Sequence, residues 1–278
     1  MRLIAALFFL PILCLAQSTS RSDLRIKDVQ NELMEFATAD GSQPIKSEKV
    51  LKFIHSLSEK KDRFSSETDF LQHLFQQTHR RFLKHYQAST TFSGLLQTER
   101  YNCLTATALY TILLNHFGYD FSVVETNYHI FILANVDGRQ ILLESTDPLT
   151  GFVKNAEDIA TRINRYKSGE VTASSSKKIY YQYQQPIFNT ISKDQLRGLI
   201  HYNLSVDAYN EKNFPSSTEH FVSAYSLYPS SRLDEFSQIL QLTIVTSNLD
   251  QQQQRQLLSR IQSGKRLAQS HVISMITR

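Results

Sequence analysis

The sequence predicts an α+β fold in which a short antiparallel run of strands is set between two helical stretches. Three observations carry this. Apolar residues recur at three- and four-residue intervals from about residue 20 to residue 97, and again from 193 to near the end. Between them the period shortens to two over FSVVET (121–126), HIFILANV (129–136) and RQILLEST (139–146). Glycine and proline number only 8 and 6 in 278 residues, a scarcity that favours helix.

The chain opens with MRLIAALFFLPILCLA, in which Arg2 precedes an apolar run from Leu3 to Leu15, and Ala16 and the polar QSTSRS follow. This is the three-part layout of a secretory leader, so residues 1–16 are read as a signal peptide cut after Ala16. The run is shorter than the roughly 20 residues that span a bilayer. Cys14 follows Leu13, where a lipid-modification site carries a small side chain, so the leader does not read as that of a lipoprotein. No later segment has the apolar length of a membrane helix, which predicts no membrane span once the leader is removed. The expected location is periplasmic or extracellular, in a protein of bacterial type.

In the first helical stretch, Val50, Leu51, Ile54 and Leu57 share one face, as do Phe70, Leu71, Leu74, Phe75 and Phe82. Ser66 with Asp69 three residues on is a helix start, and ADGSQP (39–44) separates the first helices. A further helix begins at Asn102 or Cys103, carries Ala106, Leu109, Tyr110, Leu113 and Leu114 on one face, and stops at Gly118. Asp137-Gly138 joins the last two strands as a two-residue hairpin turn. The polar, Ser-rich stretch around residues 167–178 reads as linker, and helix resumes at 193, with QQQQ (251–254) as a solvated face. The expected organisation is a leader at 1–16, an α+β domain over 20–165, a linker over 166–192 and a helical region over 193–270.

The formal charge is +4 with Lys and Arg scattered along the chain, so no basic stripe points to nucleic acid. No glycine-rich phosphate loop and no His/Cys/Asp cluster at ligand spacing is present, so neither a cofactor nor a metal is expected. The chain holds two cysteines, Cys14 and Cys103, and loss of the leader would leave one thiol that cannot form an internal disulfide. Cys103 is then either a small core residue or a functional thiol.

Asn102 is a good N-cap, which puts Cys103 in the first helical turn, where unpaired N–H groups favour a thiolate. The two-residue turn fixes the hairpin register, so that His129 faces Thr146 and Phe131 faces Glu144. His129 and Glu144 are then diagonal neighbours on one face, while Asp147 projects to the other. A thiolate beside an imidazole that a carboxylate orients is the arrangement nucleophilic acyl chemistry requires. Spacing alone leaves open a core cysteine, a satisfied strand-end histidine and an edge glutamate.

The run from Ser65 to Phe152, and above all LLQTERYNCLTATALYTILLNHFGYDFSVVETNYHIFILANVDGRQILLEST, resembles the core of the transglutaminase-like superfamily. The matching order is a helix-opening Cys103, an Ala-rich apolar stretch, Gly118, a strand leading to His129, a turn and an acid, Glu144. The resemblance implies a papain-like fold in which the cysteine helix packs on an antiparallel sheet, with Cys103, His129 and Glu144 as catalytic triad. Its members include crosslinking transglutaminases, peptidases, amidases and proteins with no known activity. Glu144 stands where the family usually has Asp, and Phe131 where Trp is common. As oxyanion donors the resemblance offers Gln97, six residues before the cysteine as in papain-like proteases, and Asn102; the backbone N–H of Cys103 is a further donor.

Farther on, IHYNLSVDAYNEKNFPSSTEHFVSAYSLYPS (200–230) resembles a tetratricopeptide repeat (TPR), departing from it at Ser205 and Ser217, where Gly and Ala are usual. A second helical pair carries Leu233, Phe236, Ile239, Leu240 and Ile244, then Leu257, Leu258 and Ile261. These helices either cap the first domain or recognise a protein partner. The expected function is an exported cysteine hydrolase or acyltransferase acting through a thioester on a peptide or glutamine side-chain amide, with water preferred to an amine as acceptor. The alternative is a non-catalytic protein whose helical repeat binds a protein partner.

Overall fold

The computed structural model describes residues 21–38, 48–127, 129–168, 183 and 185–276. The predicted leader with Cys14, the break at 39–44 and positions 169–182 of the predicted linker lie outside the described residues. Helix and sheet are mixed as expected, with one five-stranded antiparallel sheet.

Among the described residues four helices come first: α1 (Arg21–Thr38), α2 (Glu48–Lys61), α3 (Glu67–Phe82) and the short α4 (Phe92–Thr98). Val50, Phe53, Ile54 and Leu57 of α2 and Phe70, Leu71, Leu74, Phe75 and Phe82 of α3 are buried, as their spacing requires. Ser66 caps α3 by accepting from the Asp69 N–H. Strands β1 (His85–Tyr86) and β2 (Arg100–Tyr101) flank α4 and pair in parallel.

Helix α5 (Cys103–Phe117) is the centre of the molecule, with every residue from Leu104 to Leu114 buried. A helix with no solvated stripe must be surrounded. α1, α4 and one face of the sheet do this, and α3 stacks Phe75 on Tyr110 at 5.5 Å. The helix ends at Gly118, its C-cap.

The sheet runs β6-β5-β4-β3-β7, with β3 (Asp120–Thr126), β4 (Ile130–Val136), β5 (Arg139–Leu143), β6 (Phe152–Val153) and β7 (Phe188–Ile191). Asp137 and Gly138 have φ of 50° and 72°, the left-handed pair that a tight hairpin turn needs. The register pairs Val136 with Arg139 and Ile132 with Leu143, as the turn dictates. β5 stops at Leu143, three residues short of the predicted run. Its pairing with β4 ends at Ile132 with Leu143, so the expected facing pairs of Phe131 with Glu144 and His129 with Thr146 lie beyond the ladder, while the Glu144 N–H bonds the Gly151 carbonyl at 2.8 Å in line with the pairing to β6.

Ile130, Ile132, Ala134, Ile141 and Leu143 face α5. Val124, Phe131, Leu142 and Val153 face the other way, where Ile159 of α6 (Ala156–Ser168) covers them. α6 extends past the predicted domain boundary at 165, and β7 lies within the predicted linker and pairs with β3.

The chain closes with α7 (Lys193–Asn210), α8 (Phe214–Leu227), α9 (Ser231–Thr246) and α10 (Gln251–Ile276). Asn213 caps α8, its side chain accepting from the Ser216 N–H. Tyr202, Phe221, Phe236, Leu240 and Ile261 share a core of their own. Leu196, Leu199 and Ile200 of α7 instead join the core around α5. Ser205 and Ser217, both fully buried, bond reciprocally: each hydroxyl donates to the other residue's carbonyl, at 2.7 and 2.9 Å. Among the described residues no helix is long and apolar enough to cross a membrane.

Candidate active site

Cys103 is the first residue of α5 because Asn102 caps the helix: its Oδ1 accepts from the Thr105 N–H at 2.9 Å, and Thr105 Oγ1 accepts from the Asn102 N–H at 3.0 Å. The Asn102 amide nitrogen donates to the Ala88 carbonyl at 2.9 Å, so this side chain is used on both sides as a structural anchor. Gln97 is exposed on α4 and lines neither of the cavities described below. The donors left for an oxyanion are the backbone N–H groups of Cys103 and Leu104, which also act on the sulfur.

Their pull is outweighed. Burial first, and the nearby Glu144 charge second, push the Cys103 thiol up to about 12. The thiolate expected from helix position is therefore not the resting form.

His129 stands just before β4, at the rim of the sheet. Thr126 fixes its backbone, accepting from the His129 N–H at 3.1 Å and donating N–H and hydroxyl to its carbonyl at 2.8 and 3.0 Å. Its Nε2 meets Glu144 Oε2, the contact that hairpin register anticipates. Glu144 is buried, and Oε2 also accepts from the Tyr166 hydroxyl at 2.8 Å. Oε1 accepts from the Thr146 N–H at 3.2 Å and its hydroxyl at 2.7 Å. Burial pushes this carboxyl up, but His129, Thr146 and Tyr166 outweigh it and hold it below its ordinary 4.5. With Nε2 on the carboxylate, Nδ1 is the imidazole nitrogen left to exchange a proton.

Asp147 is used elsewhere. It accepts from Thr150 and from the Leu149 N–H, and lies 3.5 Å from Arg162.

Cys103 and His129 line one cavity of about 90 Å³, with no hydrogen bond between them among the described residues. A second cavity of about 220 Å³ opens beside His129, Glu144 and Tyr166. A larger one, about 480 Å³ and lined in part by Tyr209, Phe214 and Leu249, lies in the helical region and shares no residue with either. Size does not decide the matter, because the titratable groups converge on the two smaller cavities.

Sequence reading did not single out Tyr166, and it named Thr146 only as the residue facing His129. Tyr166 had a signal: Ile159, Ile163 and Tyr166 follow helical spacing behind Asn155, whose Oδ1 caps α6 by accepting from the Glu157 N–H at 2.8 Å. His79 had none. It is 5% exposed, its ring lies 4.7 Å from that of Phe75, and burial, against the pull of Asp147 and Glu144, brings its imidazole down to about 4. Among the described residues no cluster of three or more His, Cys, Asp or Glu side chains could hold a metal ion. Comparison with family models, curated proteins and solved structures finds no match for this chain.

Proposed function

We propose that the chain is an exported, transglutaminase-like cysteine hydrolase or acyltransferase that cleaves a peptide or glutamine side-chain amide through a thioester. The observation that carries this reading is the Glu144-anchored imidazole of His129 in the same cavity as the Cys103 thiol. The papain-like arrangement and the TPR-like character of α7 and α8 belong to the same reading.

Because the thiol is neutral at rest, attack and proton transfer go together. Cys103 Sγ bonds to the carbonyl carbon as its proton passes to His129 Nδ1, and the backbone N–H groups of Cys103 and Leu104 hold the oxyanion. The carbon–nitrogen bond then breaks, His129 returns the proton to the departing nitrogen, and an acyl thioester remains. Water replaces the sulfur in the second half, giving a proton to His129 that finally returns to the thiol. An amine in place of water would give crosslinking. Glu144 keeps Nδ1 on the thiol's side and stabilises the imidazolium.

The test is intact-mass detection of an acyl adduct after mixing the protein with activated esters and glutamine-containing peptides. An adduct on Cys103 is expected, absent from Cys103→Ala and slowed at least a hundredfold in His129→Ala. No adduct, or equal rates with and without His129, would refute it. The second reading, a non-catalytic protein with a partner-binding helical region, draws on the raised thiol pKa and the small cavity.

A further inference from the structure

The cavity that holds Cys103 and His129 is about 90 Å³ and open to solvent, and its walls carry more polar side chains than the two reacting groups. Most of them are engaged with the protein itself. Glu125 Oε1 lies 3.0 Å from Arg232 Nη1, and Glu125 Oε2 accepts from the Tyr228 hydroxyl at 2.7 Å. Arg232 Nη2 donates to the Thr126 carbonyl at 3.3 Å, and the Thr126 hydroxyl is taken up by the His129 backbone. Asn127 uses both ends of its amide, accepting from the Ile187 N–H at 2.6 Å and donating to the Gln185 carbonyl.

Asn203, in the middle of α7, differs from all of these. It lines the cavity, is half-buried, and its side-chain amide makes no hydrogen bond among the described residues. Asparagine is also a weaker helix former than Ala or Leu, so local preference does not account for it there.

Chemistry at the thiol needs a donor of this kind. The backbone N–H groups of Cys103 and Leu104 act on the sulfur as well as being available to an oxyanion. Of the side chains named from sequence, Gln97 lines neither cavity at the site, and Asn102 is held by the helix cap and the Ala88 carbonyl. The cavity has room for about three waters at ~30 Å³ each, so a carbonyl group bonded to Sγ inside it has the Asn203 amide among its near neighbours.

We propose that Asn203 is a catalytic residue, its Nδ2 donating to the carbonyl oxygen of the bound amide and holding the oxyanion together with the backbone N–H groups. This rests on the cysteine-hydrolase reading and adds to it a group at the reacting atoms supplied by the helical region. As the bond from Sγ to carbon forms, the carbonyl π pair moves onto oxygen, and it returns when the carbon–nitrogen bond breaks. Asn203 gives a hydrogen bond throughout and keeps its proton.

The test is the rate of Cys103 acylation by an activated ester, read by intact mass on the full chain over a range of ester concentrations, beside the rate of alkylation by iodoacetamide. Alkylation displaces iodide and builds no oxyanion, so it reports thiol access and ionisation alone. Asn203→Ala should slow acylation at saturating ester about a hundredfold, the effect of losing one such donor, and leave alkylation within twofold of wild type. Asn203→Leu keeps the side-chain volume without the donor, should behave alike, and serves if Asn203→Ala does not fold. A folded variant that acylates within fivefold of wild type overturns the assignment and leaves the hydrolase reading standing. Parallel loss of acylation and alkylation overturns it too, because Asn203 then only shapes the thiol's surroundings. No acylation of the wild-type chain overturns both.

Discussion

Replacing Tyr166 by Phe removes one hydroxyl and keeps the ring that lies 5.0 Å from His129 and 5.1 Å from Phe131. The hydrogen bond lost is 2.8 Å long and ends on a buried carboxylate. Bonds to charged groups are worth about 1.5–3 kcal/mol, and partial exposure of Tyr166 argues for the lower end. About 1.5 kcal/mol corresponds to a fall in Tm of roughly 3–6 °C for a chain of this size. If the whole amount is felt in the transition state, acyl-adduct formation slows about tenfold.

Two measurements decide between a positioning role and simple packing. Tyr166 is one of the groups holding the Glu144 carboxyl below 4.5. A carboxyl depressed by folding contributes stability above its unfolded pKa, and that contribution is lost as pH falls through the folded value. Without the tyrosine hydroxyl the folded value rises, so the acid limb of the rate profile and of the melting curve should both move to higher pH. A packing role would lower Tm and leave the acid limb of the rate in place. Tyr166→Phe with wild-type Tm, rate and acid limb would refute the assignment.

His79 provides a second pH prediction. The unfolded chain protonates this side chain near 6.5 and the native chain only near 4, so its contribution to stability is lost as pH falls between those values. His79→Phe should remove about 3 kcal/mol of that acid sensitivity, seen as a shallower loss of stability in urea melts from pH 7 to pH 4; equal slopes would count against a neutral buried ring. In the helical region, Ser205→Ala and Ser217→Ala should each cost about 1 kcal/mol, the worth of one buried hydroxyl bond. The double variant should cost at least 0.5 kcal/mol less than the sum of the two, since the hydroxyls lie 3.3 Å apart, and strict additivity would show them to be independent.

What sequence made legible is what local chemistry determines. Asn102 and Gly118 bound α5, Asp137-Gly138 sets the register, and just past the end of that ladder it is Glu144, not Asp147, that meets His129. The rest depends on contacts between distant parts of the chain. Tyr166 reaches Glu144 across 22 residues, and Tyr228 reaches Glu125 across 103. β7 has four residues, three of them exposed, so it shows no alternation that would separate it from linker. The departures from a repeat pattern at Ser205 and Ser217 were visible singly, but only their packing shows that one answers the other. The resting state of Cys103 does not follow from its place on the helix, because burial and the Glu144 charge, both tertiary effects, act against it.

The placement of β7 bears on how such a chain can be divided. A fragment ending at 165 would leave the β3 edge unpaired, with its N–H and C=O groups free to recruit a strand from a neighbouring molecule. A fragment beginning at 193 would carry Leu196, Leu199 and Ile200 as an apolar stripe in water. Each half thus completes the other's surface, and a recombination event that joined either one to a new neighbour would hand on a protein prone to aggregate.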